Sequence, residues 1–122
     1  MIQLDHFNIT APMEILIRVR DFYKTVLGLT EGNRPHFARR GFWLYGNGRP
    51  IVHLIEGDTG EQQPATTYLD HIAFHTDDLR PIKERLDCLR IVCEQVLVPG
   101  GAIEQLIFYD PVGIKVEVNA SI

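Results

Sequence analysis

Cysteine is scarce in the 122 residues: only Cys88 and Cys93 are present. They are too few and too close together for a disulfide framework, and their spacing is not CxxC. No apolar run approaches membrane-spanning length, so the expectation is no integral membrane protein. Positive charge is also short. Twelve Lys and Arg against sixteen Asp and Glu leave a net charge of −4, and a nucleic-acid binder normally shows a basic face instead. The opening MIQLDHFNIT has neither a basic stretch nor an apolar one, so no signal peptide is expected and the setting is read as cytoplasmic and reducing. There is no GxxxxGKS loop and no GxGxxG for phosphate. Neither cysteine is placed as a nucleophile, and no serine–histidine–acid set stands out. What remains is an ordinary globular composition, 45% hydrophobic and 23% charged, in about one domain's worth of chain. A chain of this size buries roughly two thirds of its unfolded surface and needs no staple simply to fold.

The chain repeats itself. Leu4-Asp5-His6 recurs as Leu69-Asp70-His71, 65 residues on, and each copy opens a short β-rich run. Thr10-Ala11-Pro12 then signals a helix start. Apolar residues at Ile15, Leu16, Val19, Phe22, Tyr23, Val26 and Leu27 form one helical stripe, closed by Gly28. In the second half Asp77-Asp78 offers a cap, and Leu79, Ile82, Leu86 and Leu89 form the matching stripe. Strands are expected after each helix: a poorly marked one within 29–37, then 42–45 and 51–55 about the turn Gly46-Asn47-Gly48-Arg49 in the first half. In the second half they fall at 91–98, 103–109 and 114–118, broken by Pro99-Gly100-Gly101 and Asp110-Pro111-Val112-Gly113. The fold class is therefore α+β: two tandem βαβββ modules, 1–56 and 67–122, joined by a polar linker at 57–66, within a single domain at 1–122. One such unit buries its helix stripe and sheet face poorly alone, so the two curved mixed sheets are expected to form a cleft.

Four residues fall at matching places in the repeat. His53 lies 47 residues after His6, and Glu117 lies 46 after His71. All four are types that bind metal ions. Strand parity puts Val116 and Val118 on the face meant for packing, which turns Glu117 to the inside of the curved sheet. A carboxylate there is costly without a partner, and a cation is the simplest one. A lone histidine or glutamate would carry little weight; four under one repeat point to a metal held by His6, His53, His71 and Glu117. His75 shares the parity of His71, with a structural role the plainer reading, and His36 sits in a solvated, arginine-rich stretch. Trp43 and Tyr45 share one strand face, and Gln105, Ile107 and Tyr109 another. If concave, these faces suit a small, partly apolar oxygenated substrate bound by Trp43, Tyr45, Gln105 and Tyr109. Arg39-Arg40 is an arginine pair of the kind usually solvated.

The segments LDHFNIT, FYKTVLGL, VHLIE, LDHIAF and FYDPVGIKVEV resemble the vicinal oxygen chelate superfamily over essentially the whole chain. That group contains glyoxalase I, extradiol dioxygenases, methylmalonyl-CoA epimerase, fosfomycin-resistance transferases and bleomycin-resistance proteins. The resemblance implies the glyoxalase/bleomycin resistance/dihydroxybiphenyl dioxygenase-like fold and one divalent ion per site, Zn, Fe, Mn, Ni or Co. It also implies a homodimer in which the first module of one chain meets the second of its mate, bringing His6 and His53 to His71 and Glu117. The sequence leaves open a cleft closed within one chain. The implied chemistry is Lewis-acid chelation of two neighbouring substrate oxygens, with Glu117 and His53 as the catalytic candidates. The chain departs from each named activity. Glyoxalase I usually has glutamate in place of His53, fosfomycin-resistance enzymes have threonine in place of Asn8, and extradiol dioxygenases have tyrosine in place of Ile107. The expectation is thus a small metal-dependent enzyme, lyase, isomerase or ring-cleaving dioxygenase, with a metal-free drug- or metabolite-binding protein as the alternative.

Overall fold

The computed structural model of the chain describes residues 4–57 and 71–122. It divides into two compact units, Met1–Gln62 and Gln63–Ile122. The first contains β1 (Phe7–Ala11), α1 (Met13–Leu27), β2 (Thr30–Gly32), β3 (Gly41–Gly46) and β4 (Arg49–Glu56). Pro12 forms the joint between β1 and α1. Its extended backbone (ψ 151°) ends the strand, and its carbonyl accepts the amide protons of Ile15 at 3.0 Å and Leu16 at 2.9 Å. Helix start thus needs no side-chain cap, and proline is fitted to this place because it has no N–H of its own to satisfy. Leu16, Val19, Phe22, Tyr23 and Val26 recur at three and four residues and are buried where α1 packs on β1, β3 and β4. Each such side chain removed from water contributes about 1.5–3 kcal/mol. Gly28 closes the helix in the left-handed conformation (φ 72°), with its amide on the Lys24 carbonyl at 3.1 Å.

The strand order is β1-β4-β3-β2, with β1 parallel to β4 and the other pairs antiparallel. Asn47 (φ 52°) and Gly48 (φ 75°) form the two-residue turn between β3 and β4, a conformation that matches the strand twist. Leu44, Val52 and Leu54 are fully buried.

The second unit repeats the order: β5 (Ile72–His75), α2 (Arg80–Cys88), β6 (Glu94–Leu97), β7 (Ile103–Tyr109) and β8 (Lys115–Ser121). Its sheet runs β5-β8-β7-β6 with β5 parallel to β8. Asp78 caps α2 from one residue outside, its Oδ1 accepting the Arg80 amide at 3.0 Å. Leu79, Ile82 and Leu86 are buried. The Asp110 carboxylate, itself buried, accepts the amides of Val112 at 3.0 Å and Ile114 at 2.9 Å and so shapes the turn before β8. No helix of the described residues is long and apolar enough to cross a membrane.

The α+β class and the twice-repeated strand-helix-three-strand order match the reading of the sequence. Four details differ. The strand sought within 29–37 is only Thr30–Gly32, all exposed, because no alternation of apolar residues marks it. The strand sought at 91–98 is Glu94–Leu97, and that at 114–118 is Lys115–Ser121. Leu89 does not extend the buried stripe. Helix α2 ends at Cys88 and Arg90 turns left-handed (φ 58°), leaving Leu89 exposed. Of the linker 57–66, only Gly57 lies within the described residues, and Leu69-Asp70 lie outside them.

Candidate functional site

Both histidines of the repeat stand immediately before the first strand of their unit, and the parallel ladders fix their register against the fourth strands. Asn8, two residues after His6, pairs with His53. Ala73, two residues after His71, pairs with Glu117. The ladders therefore set His53 against its histidine and Glu117 against its own at the same register in the two units. A one-residue slip in either would turn the fourth-strand side chain to the opposite face.

In the first unit the rings of His6 and His53 stack, centroids 3.7 Å apart and planes 11° from parallel. Trp43, paired with His53 across the β3–β4 ladder, stacks at 4.1 Å and 12°. A three-ring pile results, His53 buried within it at 9% exposure. His53 Nε2 lies 3.0 Å from the Pro50 carbonyl. A carbonyl only accepts, so Nε2 carries the proton and Nδ1 keeps the lone pair. Burial first, and repulsion from His6 second, hold this imidazole below its ordinary range, in the neutral form a metal requires. On His6 the carboxylate of Asp5 takes Nδ1 at 2.5 Å, which leaves Nε2 outward. This carboxylate-on-imidazole arrangement is the one that orients metal-binding histidines. Lone pairs lie in the ring plane, so the two stacked rings converge on one ion only after one of them turns.

In the second unit Glu117 is buried at 8% exposure. Its Oε1 accepts a hydrogen bond from Gln105 Nε2 at 3.0 Å, and its Oε2 lies 3.3 Å from His71 Nε2. Two ligand atoms bound about 2.1 Å from one cation are separated by about 3.0 Å at an octahedral angle and about 3.4 Å at a tetrahedral one. The His71–Glu117 pair is thus already spaced as a bidentate half of a metal shell. Within neither unit, among the described residues, do three or more His, Cys, Asp or Glu side chains gather to hold an ion. Each unit carries one pair.

The other expected residues divide. Trp43 lines a cavity with His53. Tyr45 lies over Gly32, where a Cβ would meet its ring at 2.7 Å, and its hydroxyl donates to the Asn33 carbonyl at 2.6 Å. That side chain is committed to packing. Gln105 is engaged with Glu117, and Tyr109 is exposed at the end of β7. His75 is exposed beside Asp77 at 3.6 Å, and Arg40 forms a two-pronged pair with Glu56 at 2.9 and 2.7 Å. Sequence reasoning missed Asp5 as the partner of His6, although it is the adjacent residue and an acid. It also missed Arg34, which stands at the edge of the cavity beside His53 and carries no signal in the sequence pattern.

No protein-family model matches the chain. Over 105 residues it is 32% identical to Glyoxylase I 4 of Arabidopsis thaliana, covering 80% of this chain. The chain spans 60% of the length of that curated relative. Among solved structures, the glyoxylase/bleomycin resistance protein/dioxygenase domain from Frankia sp. EAN1pec superimposes with a TM-score of 0.79 at 20% identity, over 100% of this chain and 99% of that one. A mutant of the fosfomycin resistance protein FosX from Listeria monocytogenes, complexed with Mn(II) and a dihydroxypropylphosphonic acid, gives 0.71 at 19% identity, over 98% and 94%. Likenesses at this identity show the fold.

Proposed function

We propose that the chain is a member of the vicinal oxygen chelate superfamily, a reading its 32% identity to Glyoxylase I 4 and its fold support, and that it is a metal-dependent enzyme acting on a small substrate with two neighbouring oxygens. The observation that carries this reading is the repeated register. It sets His53 and Glu117 at equivalent places relative to His6 and His71, with Glu117 and His71 already at ligand-to-ligand spacing. His6, His53, His71 and Glu117 are the proposed ligands, two from each unit. Three imidazoles and one carboxylate suit a borderline divalent ion such as Zn, Fe, Mn, Ni or Co. That FosX was solved with Mn(II) makes manganese the first ion to try. A homodimer is the proposed assembly, testable by light scattering.

The residues have separable parts in the chemistry. A bound divalent ion would supply Lewis acidity toward two adjacent oxygens of the substrate. Glu117 is the proposed proton acceptor at carbon next to those oxygens, since its carboxylate stands beside His71 at the proposed ion site. Gln105 holds Oε1 of that carboxylate and so fixes which oxygen faces the site. Desolvated His53, neutral and packed between His6 and Trp43, has one lone pair, on Nδ1. It serves as a ligand while bound to the ion, and as a second proton acceptor only when the ion is held by the other three residues.

The test is elemental analysis of protein purified anaerobically without chelator, followed by assay. Near one ion per chain is expected, falling strongly in His71→Ala and Glu117→Ala. Zinc, nickel or manganese with proton exchange beside a carbonyl would place the protein in the isomerase or lyase branch. Iron with ring cleavage of catechols would place it with the dioxygenases. A protein that takes up no divalent ion, and whose ligand binding survives both substitutions, would instead be a metal-free binding protein.

A further inference from the structure

The stretch between β2 and β3, together with β3 and β4, lines a half-open cavity of about 270 Å3. Its walls include Phe37, Trp43 and Ile55, which are apolar, together with His53 and two guanidinium groups, Arg34 and Arg39. Among the described residues no carboxylate lines it. The neighbouring Arg40, by contrast, is matched by Glu56 and is an ordinary ion pair. Arg34 is fixed in place: its Nη2 donates to the Arg39 carbonyl at 3.0 Å, and its guanidinium lies over the Phe37 ring at 4.8 Å. Gly41 leaves room for it, since a Cβ there would stand 3.2 Å from Nη2. Yet Arg34 Nε is shielded from solvent and has no acceptor among the described residues. A charged donor in that condition is disfavoured, and buried donors are nearly always matched. A guanidinium already ordered, with a second one lining the same cavity and no carboxylate among the described lining residues, is complementary to an oxyanion.

We propose that this cavity seats the anionic end of the ligand, whose class is a small carboxylic acid bearing an aromatic or other flat apolar group. The carboxylate answers the guanidinium groups of Arg34 and Arg39, and the flat group packs on Phe37 and Trp43, whose centroids are 6.3 Å apart and tilted by 43°. The inference rests on the metal-site reading only in that His53 lines the same cavity, which lets one ligand present its paired oxygens to the His53 side and its charge to the arginines. It narrows the substrate from any compound with neighbouring oxygens to one that is also an acid.

Trp43 is the only tryptophan of the chain, so its fluorescence reports directly on the cavity. The experiment titrates the full chain, both metal-loaded and chelator-treated, with benzoate and with the uncharged benzamide. Benzoate is expected to change the emission saturably and to bind at least tenfold more tightly than benzamide. Arg34→Met and Arg39→Met should each weaken benzoate about tenfold or more and leave benzamide unchanged. Arg34→Lys should recover only part of the loss, because an ammonium lacks the planar fork. Should Arg34→Met lose its near-ultraviolet circular dichroism, the exposed Arg39 variant decides. Equal binding of benzoate and benzamide, or wild-type benzoate affinity in both folded methionine variants, overturns the proposal. Charge-selective binding that persists in chelator-treated protein with no metal uptake would sink the metal reading alone. Metal uptake without charge selectivity would sink the anion cavity alone.

Discussion

Replacing Gln105 by leucine separates a positioned metal ligand from a carboxylate that is merely buried. The substitution nearly conserves volume and removes one donor. In the wild type that donor holds Glu117 Oε1 at 3.0 Å while Oε2 faces His71 at 3.3 Å. Without it the carboxylate can rotate, and the spacing on which a shared cation depends is no longer enforced. Loss of such an outer partner typically weakens metal binding 10–100-fold, which is about 1.4–2.8 kcal/mol. The charge-assisted hydrogen bond itself stabilises the metal-free fold by at most about 1.5–3 kcal/mol, so the variant should still fold. The assay is competition for Mn2+ and Zn2+ against a chromophoric chelator at neutral pH, with urea unfolding of the metal-free protein alongside. Gln105→Leu is expected to fall between wild type and Glu117→Gln in metal affinity. Metal affinity within twofold of wild type in both variants would refute the reasoning, because the ion would then not be using the carboxylate that Gln105 holds.

Three other outcomes are expected of the fold. Leu44→Ala empties a fully buried place in the first sheet and should cost about 2–5 kcal/mol, read from the urea midpoint of the metal-free protein. Gly48→Ala puts a side chain at φ 75° and should cost about 1 kcal/mol, measured the same way; no loss would mean that the turn relaxes freely. The third concerns acid. The Arg80 guanidinium first, and its amide second, hold the Asp78 carboxyl below the usual carboxylate range, so the folded chain binds that proton less readily than the unfolded one. The stabilisation is therefore whole above the unfolded value, about 3.9, and is lost as pH falls through the lower folded value. The unfolding midpoints of wild type and Asp78→Asn should differ at neutral pH and converge in strong acid. A difference that stays constant would show that the charge on Asp78 contributes nothing to the start of α2.

Local chemistry carried much of the architecture into the amino-acid sequence. Pro12 and Gly28 bound α1 because one has no amide to satisfy and the other tolerates the left-handed turn. Asn47-Gly48 makes a hairpin for the same conformational reason, and the three-and-four spacing of Leu16, Val19, Phe22, Tyr23 and Val26 could bury only as a helix stripe. The duplication was legible too, so His6 could be matched to His71, and His53 to Glu117, from spacing alone. Where local signals were faint, as in Thr30–Gly32 or after Cys88, the boundaries depended on neighbours distant in sequence.

Packing alone decided the rest. Gln105 and Glu117 are twelve residues apart, and their contact exists because β7 and β8 pair in one register among several possible. His6, His53 and Trp43 pile up because a parallel and an antiparallel ladder meet at β4. Arg34 lies in a stretch without regular pattern, and only the fold shows that one of its N–H groups is left without an acceptor among the described residues. Residue types and their spacing can name candidate ligands, because that information is carried along the chain. Which oxygen is held, which ring is covered and which donor is unmatched are set by groups brought together in space, and those depend on the tertiary structure.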